Sequence, residues 1–322
     1  MARNLYTKNY HNMFEISSLV QKSLRRGDVE FACYAASEME KSYRAYLWKR
    51  LLVTSAEDCF DLVTNQVLRC KEDDDVRKDN INLSRAVSVL ISARKNRDAD
   101  YFACNLLYSR YKKDFPDGGS IQTRHGHDVE KLSYLLVDEL LKCNDENVGY
   151  LANEIRLWYR GLFWVCMKRA CDSLNCSVLT EEVLSLEKVD LAQKMNDAST
   201  TIFISKAITS IMKFVKYGKE IFVHGQPVMY DIDNYQSRRN IPEYTYDCHT
   251  IIGKKRGLTD DDFIVSEQEC LNPHKEGEYD TLDWANSRKW RVEGRGNVFE
   301  IPKMPKDVYK EVNEGIFSNT LF

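Results

Sequence analysis

Proline and glycine are scarce in this chain, six and fourteen among 322 residues. That scarcity argues against an all-β fold of many tight turns and suits long helices. No run of eighteen apolar residues occurs, so no transmembrane helix is expected. The opening MARNLYTKNYHNMF lacks the continuous apolar stretch of a secretory signal. A cytoplasmic protein with reduced thiols is the expectation. Cys33, Cys59, Cys104 and Cys166 sit among apolar residues, where free cysteine behaves as a small buried hydrophobe. Charge of one sign is lacking as well. The formal net charge is -3, so no global basic field draws the chain to nucleic acid or to an anionic membrane. There is no G-x-x-x-x-G-K-[ST] loop to cradle a nucleotide phosphate and no C-x-x-C pair. No internal repeat of fixed period is evident.

What is present reads as helix. Hydrophobic residues make up 43% and charged residues 30%, the balance of an ordinary globular protein. In MFEISSLVQKSLRR (13–26), Phe14, Ile16, Leu19, Val20 and Leu24 fall near helical spacing, and Lys22, Arg25 and Arg26 gather where cations favour the helix dipole. Gly27 ends that helix, and Asp28 is placed to cap a second one rich in small residues, VEFACYAASEME. A third helix covers 43–56. The stretch LLVTSAEDCF (51–60) then reads as a tight joint, with Asp58 starting the next helix and Glu57 pointing about 100° away from it. KEDDDVRKDN (71–80) reads as a charged loop, and 81–95, 99–111 and 129–142 as helices. One long helix is expected over about 147–172 with Gly161 inside it, and two more near 180–195 and 200–217. Five of the six prolines fall after residue 223, where turn residues, aromatics and charge mix. The expected organisation is therefore a mainly α body over 1–220, with an irregular or small α+β module or wrapping arm over 221–322.

The opening helices resemble the C-terminal region of the RarA/MgsA family of replication-associated recombination ATPases, relatives of clamp loaders. The residues that carry the resemblance are Lys22-Ser23, Arg26-Gly27-Asp28, Ala32 to Met39, Lys49-Arg50-Leu51 and Ser55 to Asp58, followed by NLSRAVSVLISARKNRDADY. It spans about residues 10–110. The resemblance implies a clamp-loader-like helical collar that assembles a homo-oligomer, typically a tetramer. In that family an N-terminal AAA+ module hydrolyses ATP and the protein works beside single-stranded DNA-binding protein; with no nucleotide-binding loop in this sequence, a separate AAA+ ATPase is the expected partner. No cofactor is implied.

Three local features invite chemistry. His125-Gly126-His127-Asp128 offers donors for a metal-dependent hydrolase, although a complete zinc site needs more ligands than this segment shows. The spacing of Cys166, Cys171 and Cys176 turns each thiol about 140° from the last, so buried thiols fit better than a zinc knot. His249 with Gly253-Lys254-Lys255-Arg256-Gly257 could approach phosphate through backbone N–H groups and side-chain charge. Further on, Arg288, Lys289, Trp290, Arg291 and Arg295 interleave cations with an aromatic ring, the pattern of single-strand binding. The leading expectation is a non-enzymatic, oligomeric helical protein of DNA replication, recombination or repair. A nucleic-acid-binding module and a metal-dependent hydrolase are the alternatives.

Overall fold

The computed structural model describes residues 5–108, 122–123, 126–156, 159–193, 198–222, 225–268 and Cys270. The body is mainly helical, and the described residues contain no strand beyond isolated bridges. Five helices open it: α1 (Met13–Arg26), α2 (Val29–Met39), α3 (Arg44–Glu57), α4 (Thr64–Val76) and α5 (Asn80–Ser92). A connecting helix, α6 (Asp98–Tyr108), follows. Five more complete it: α7 (Val129–Leu141), α8 (Asp145–Arg156), α9 (Arg160–Leu174), α10 (Ser177–Leu191) and α11 (Ala198–Tyr217).

Local chemistry explains the first joint. Gly27 takes φ +63°, which lets its N–H reach the Leu24 carbonyl and closes α1. Asp28 then accepts from the Phe31 N–H at 3.1 Å and starts α2. The small residues of α2 are buried almost all round, from Ala32 to Ala36. Elsewhere the helices depart from the periodic reading. The charged stretch from Lys71 is the second half of α4, because Lys71 pairs with Asp75 one turn on and Asp74 turns inward. The single helix expected over 147–172 is two. The first ends at Arg156, Tyr159 is non-helical at φ -132°, and the second starts at Arg160, with Gly161 in its first turn.

The two sets of five helices are one design used twice. An offset of 116 residues, without a gap, carries the starts of α1, α2 and α3 onto those of α7, α8 and α9. The same offset superposes Thr7 on Thr123, His11 on His127, Tyr34 on Tyr150, Glu38 on Glu154, Tyr43 on Tyr159, Arg44 on Arg160 and Trp48 on Trp164. The interactions coincide too. Bridges join Tyr6 to Asn12 and Gln122 to Asp128. Tyr43 donates to the Tyr6 carbonyl at 3.0 Å, and Tyr159 to the Gln122 carbonyl at 3.1 Å. The Trp48 indole donates to Asp74 at 2.7 Å beside Arg44, and the Trp164 indole to Asp190 at 2.8 Å beside Arg160. Left-handed backbone recurs at Tyr10 and Gly126, and again at Gly27 and Cys143. A fixed period is therefore present after all. We call 5–92 unit 1 and 122–217 unit 2.

The units share one hydrophobic core. They meet unequally: α10 packs on α4, and α11 packs on α3 and α6. After Tyr217 the chain forms short 3-10 turns at Lys219–Phe222, Ile232–Tyr235 and Glu243–Thr245, then α12 (Ile251–Lys255) and α13 (Asp260–Gln268). This arm lies along unit 1. Tyr230 and Ile232 N–H groups donate to Ser88 and Ser84 at 2.8 and 3.1 Å. Lys22 donates to the Thr245 carbonyl at 2.6 Å, and Tyr244 to Asp28 at 2.8 Å.

Candidate functional site

The strongest concentration of charge is built around Asp58. Rather than starting α4, Asp58 sits just past the end of α3, wholly buried. The joint pairs with the segment after α5, where the Phe60 N–H reaches the Arg94 carbonyl and the Asn96 N–H reaches the Asp58 carbonyl. That pairing brings three elements together. Arg25 Nε of α1 lies 2.7 Å from Asp58 Oδ1, Arg97 Nη1 lies 2.6 Å from the same oxygen, and Gln21 donates to Oδ2 at 2.9 Å. Arg97 also reaches Glu57 at 2.8 Å, Asp100 at 2.7 Å and Glu267 of α13 at 3.0 Å. Glu57 and Asp58 thus converge on one guanidinium, which two adjacent residues inside a helix could not do. The α3 helix ends between them. Tyr101 donates to Glu267 at 2.7 Å, and the Phe263 ring lies 5.6 Å from the Arg25 guanidinium and 6.0 Å from that of Arg97.

The electrostatics follow from burial and pairing. Burial opposes ionisation of Asp58, but the two arginines hold its carboxyl below the usual range. Burial dominates at Glu57 and Glu267 and raises both, despite the same arginines. The cluster sets the carboxylates of Glu57, Asp58, Asp100 and Glu267 against the guanidinium groups of Arg25 and Arg97. It holds α13 against unit 1 and offers no exposed nucleophile or base. Beside it a cleft of about 170 Å³ is lined by Lys22, Arg25, Arg26, Tyr244, Tyr246 and Phe263. Its lysine is already paired with Asp247 at 2.7 Å.

A second buried cluster joins the units. Lys206 of α11 donates to the carbonyls of Cys59 at 2.6 Å, Phe60 at 3.2 Å and Asp61 at 3.1 Å. Burial lowers its ammonium to about 8. Val63 supplies no side-chain cap for α4, and Glu182 of α10 does so instead, accepting from the Thr64 and Asn65 N–H groups at 3.1 and 3.0 Å. Lys213 pairs with Asp98 at 2.7 Å. None of these partners is near in sequence. The one available hint is two lysines within the apolar run of α11.

The residues singled out from the sequence fare differently. Asp128 caps α7, accepting from Glu130 and Lys131 N–H groups at 3.1 and 3.2 Å, and His127 occupies the place of His11 in unit 1. The segment is thus a repeated helix-entry turn, and His125 lies outside the described residues. Cys166 and Cys171 are buried thiols, as expected, whereas Cys176, at the start of α10, is only half-buried. In the 249–257 segment both glycine N–H groups are committed. Gly253 N–H goes to Thr250 Oγ1 at 3.0 Å and Gly257 N–H to the Lys254 carbonyl at 3.1 Å, so no phosphate cradle forms from them. Gly253 is required by packing, since a Cβ there would fall 1.8 Å from the Asp247 carbonyl oxygen. Arg256 pairs with Glu243 and lies over Tyr246, while Lys254 and Lys255 are exposed. Arg288, Lys289, Trp290, Arg291 and Arg295 lie outside the described residues. No described helix is long and apolar enough to cross a membrane.

Fold and site together define a class: an all-helical tandem protein whose strongest polar clusters are internal joints. No family model, no curated protein and no solved structure matches the chain.

Proposed function

We propose that this chain is a non-enzymatic, self-associating helical scaffold of DNA replication, recombination or repair, made of two collar-like units. The resemblance to the RarA/MgsA C-terminal region supplies the setting, and the residues that carry it fall in unit 1, the segment after it and the first turn of α6. The internal repeat extends the same architecture to unit 2. One observation carries the self-association. Leu62 and Leu68 of unit 1 are 6% and 8% exposed, on the joint and helix that unit 2 packs against. Their counterparts in unit 2, Val178 and Leu184, are also apolar but 54% and 45% exposed. A surface that is covered in one unit is open in the other, and a second copy of the chain offers the matching chemistry. A separate AAA+ ATPase and DNA or single-stranded DNA-binding protein are the partners this reading calls for.

Sedimentation velocity over a micromolar concentration range tests the reading. An oligomer, a tetramer by analogy with the family, is expected for the native chain. A smaller species is expected for Leu184→Glu. A native chain that stays monomeric throughout overturns the proposal. Any direct DNA contact is assigned to the exposed Lys254 and Lys255, and its affinity should fall steeply with salt and with reversal of both charges.

A further inference from the structure

The arm brings three side chains of different donor chemistry to one point. Cys248 and His249 lie on the turn before α12, and Asp260 is the first residue of α13. Cys248 Sγ is 3.3 Å from His249 Nδ1 and 3.1 Å from Asp260 Oδ1. One donor atom from each of the three lies within 4.8 Å of the other two. Around a tetrahedral zinc ion, a thiolate at about 2.3 Å and a nitrogen or oxygen donor at about 2.0 Å are separated by about 3.5 Å. The observed spacings are close to that edge length.

The donors are also held in place. Asp247 accepts from the His249 N–H at 2.9 Å, and its own N–H donates to Thr250 Oγ1 at 3.1 Å. The close approach of Gly253 fixes α12 against the same turn. The His249 ring packs edge-on against Phe263, with centroids 4.8 Å apart. The Asp247 carboxylate lies 3.7 Å from His249 Nδ1 and adds negative charge beside the cluster. A set of one sulfur, one imidazole and one carboxylate suits zinc better than calcium or magnesium, which prefer oxygen alone.

We propose that Cys248, His249 and Asp260 form a zinc site that pins the turn before α12 to α13, the helix that rests on unit 1. The three side chains supply three ligands, and a water completes the fourth position on the exposed side of His249 and Asp260. The thiol gives up its proton to the solvent as the ion binds. The ion links the turn at 247–250 to the start of α13. That helix carries Phe263 and Glu267 onto Arg25 and Arg97, so an occupied site favours the closed charge cluster. The inference concerns the arm alone and does not depend on self-association.

The test uses the full chain, stripped with chelator under reducing conditions and titrated with cobalt(II). The native protein should develop a saturable thiolate-to-cobalt absorption at one equivalent, which zinc then abolishes. Cys248→Ser should lose that absorption, and His249→Gln should lose its saturation at one equivalent. Cys176→Ser, at the open joint of unit 2, should keep it. Zinc should also slow proteolysis within 248–268 in the native chain and not in Cys248→Ser. No saturable absorption, or one that survives in Cys248→Ser, overturns the site.

Discussion

In unit 1 the joint between the third and fourth helices holds Asp58 between Arg25 and Arg97. In unit 2 the same positions are Leu174 and Leu141, with Ser173 in place of Glu57 and Val137 in place of Gln21. The scaffold around both joints is nevertheless shared, down to the tryptophan–carboxylate bond that ties the third helix to the fourth. The five-helix design therefore needs no charge at this joint. Buried ion pairs carry a large desolvation cost, and an apolar joint of similar volume is the cheaper solution. Unit 1 keeps the charged version where α13 comes to rest on it.

Four paired substitutions sharpen or break this comparison. The largest effect is expected at Asp58. Asp58→Asn leaves two buried guanidinium groups short of a carboxylate and should cost about 3–5 kcal/mol in denaturant unfolding near neutral pH. Leu174→Asn, at the part-exposed counterpart, should cost about 1 kcal/mol. Equal costs would mean that the charged joint is not special. The difference between native protein and Asp58→Asn has a defined pH dependence. The Asp58 carboxyl is held below its ordinary 3.8, so its stabilising contribution is present above that value and is lost as pH falls through the lower, folded-state value. The two proteins should converge in acid.

Leu68→Glu buries a charge between the units and should destabilise by about 2–4 kcal/mol. Leu184→Glu, at the exposed counterpart, should leave the unfolding midpoint nearly unchanged while reducing oligomer mass. The two tryptophans come next. Trp48→Phe and Trp164→Phe each remove one donor from a buried carboxylate and should each cost about 1–3 kcal/mol. Values differing by more than about 1 kcal/mol would show that the repeat is geometric rather than energetic. The smallest effect belongs to the left-handed turn. Gly126→Ala should cost about 1 kcal/mol through its positive φ, with no neighbouring atom to clash. Tyr10→Gly at the equivalent position, φ +64°, should stay within about 0.5 kcal/mol of the native chain, since relief of strain offsets added chain entropy. Thermal melts of the pair are sufficient.

Much of the architecture could be read along the chain. Gly27 as a stop and Asp28 as a cap act within four residues, so their chemistry is visible locally. The apolar stripes of α1, α5, α7 and α11 recur at helical spacing for the same reason. The charged run after Lys71 misleads because a solvated helix face and a solvated loop have similar composition. The repeat escapes notice because its shared residues are sparse. Between Tyr34, Glu38, Tyr43, Arg44 and Trp48 and their counterparts the residue types differ, with Arg156 in place of Glu40 and Leu157 in place of Lys41. The role of Asp58 is hidden for a different reason. Its partners come from α1, from the segment after α5 and, through Arg97, from Glu267 some two hundred residues away.

The sequence by itself determined the helical class, the first caps and stops, and that no described helix is long and apolar enough to cross a membrane. Those properties depend on neighbours one or two turns apart, and such neighbours are close in any fold. Only the tertiary structure decided which polar residues become joints. Glu182 caps a helix from another unit, Lys206 closes three carbonyls of the α3–α4 joint, and Asp58 gathers charges from across unit 1 and the arm. Each of these groups would be solvated in the isolated segment, and its partner is set by where distant helices come to lie.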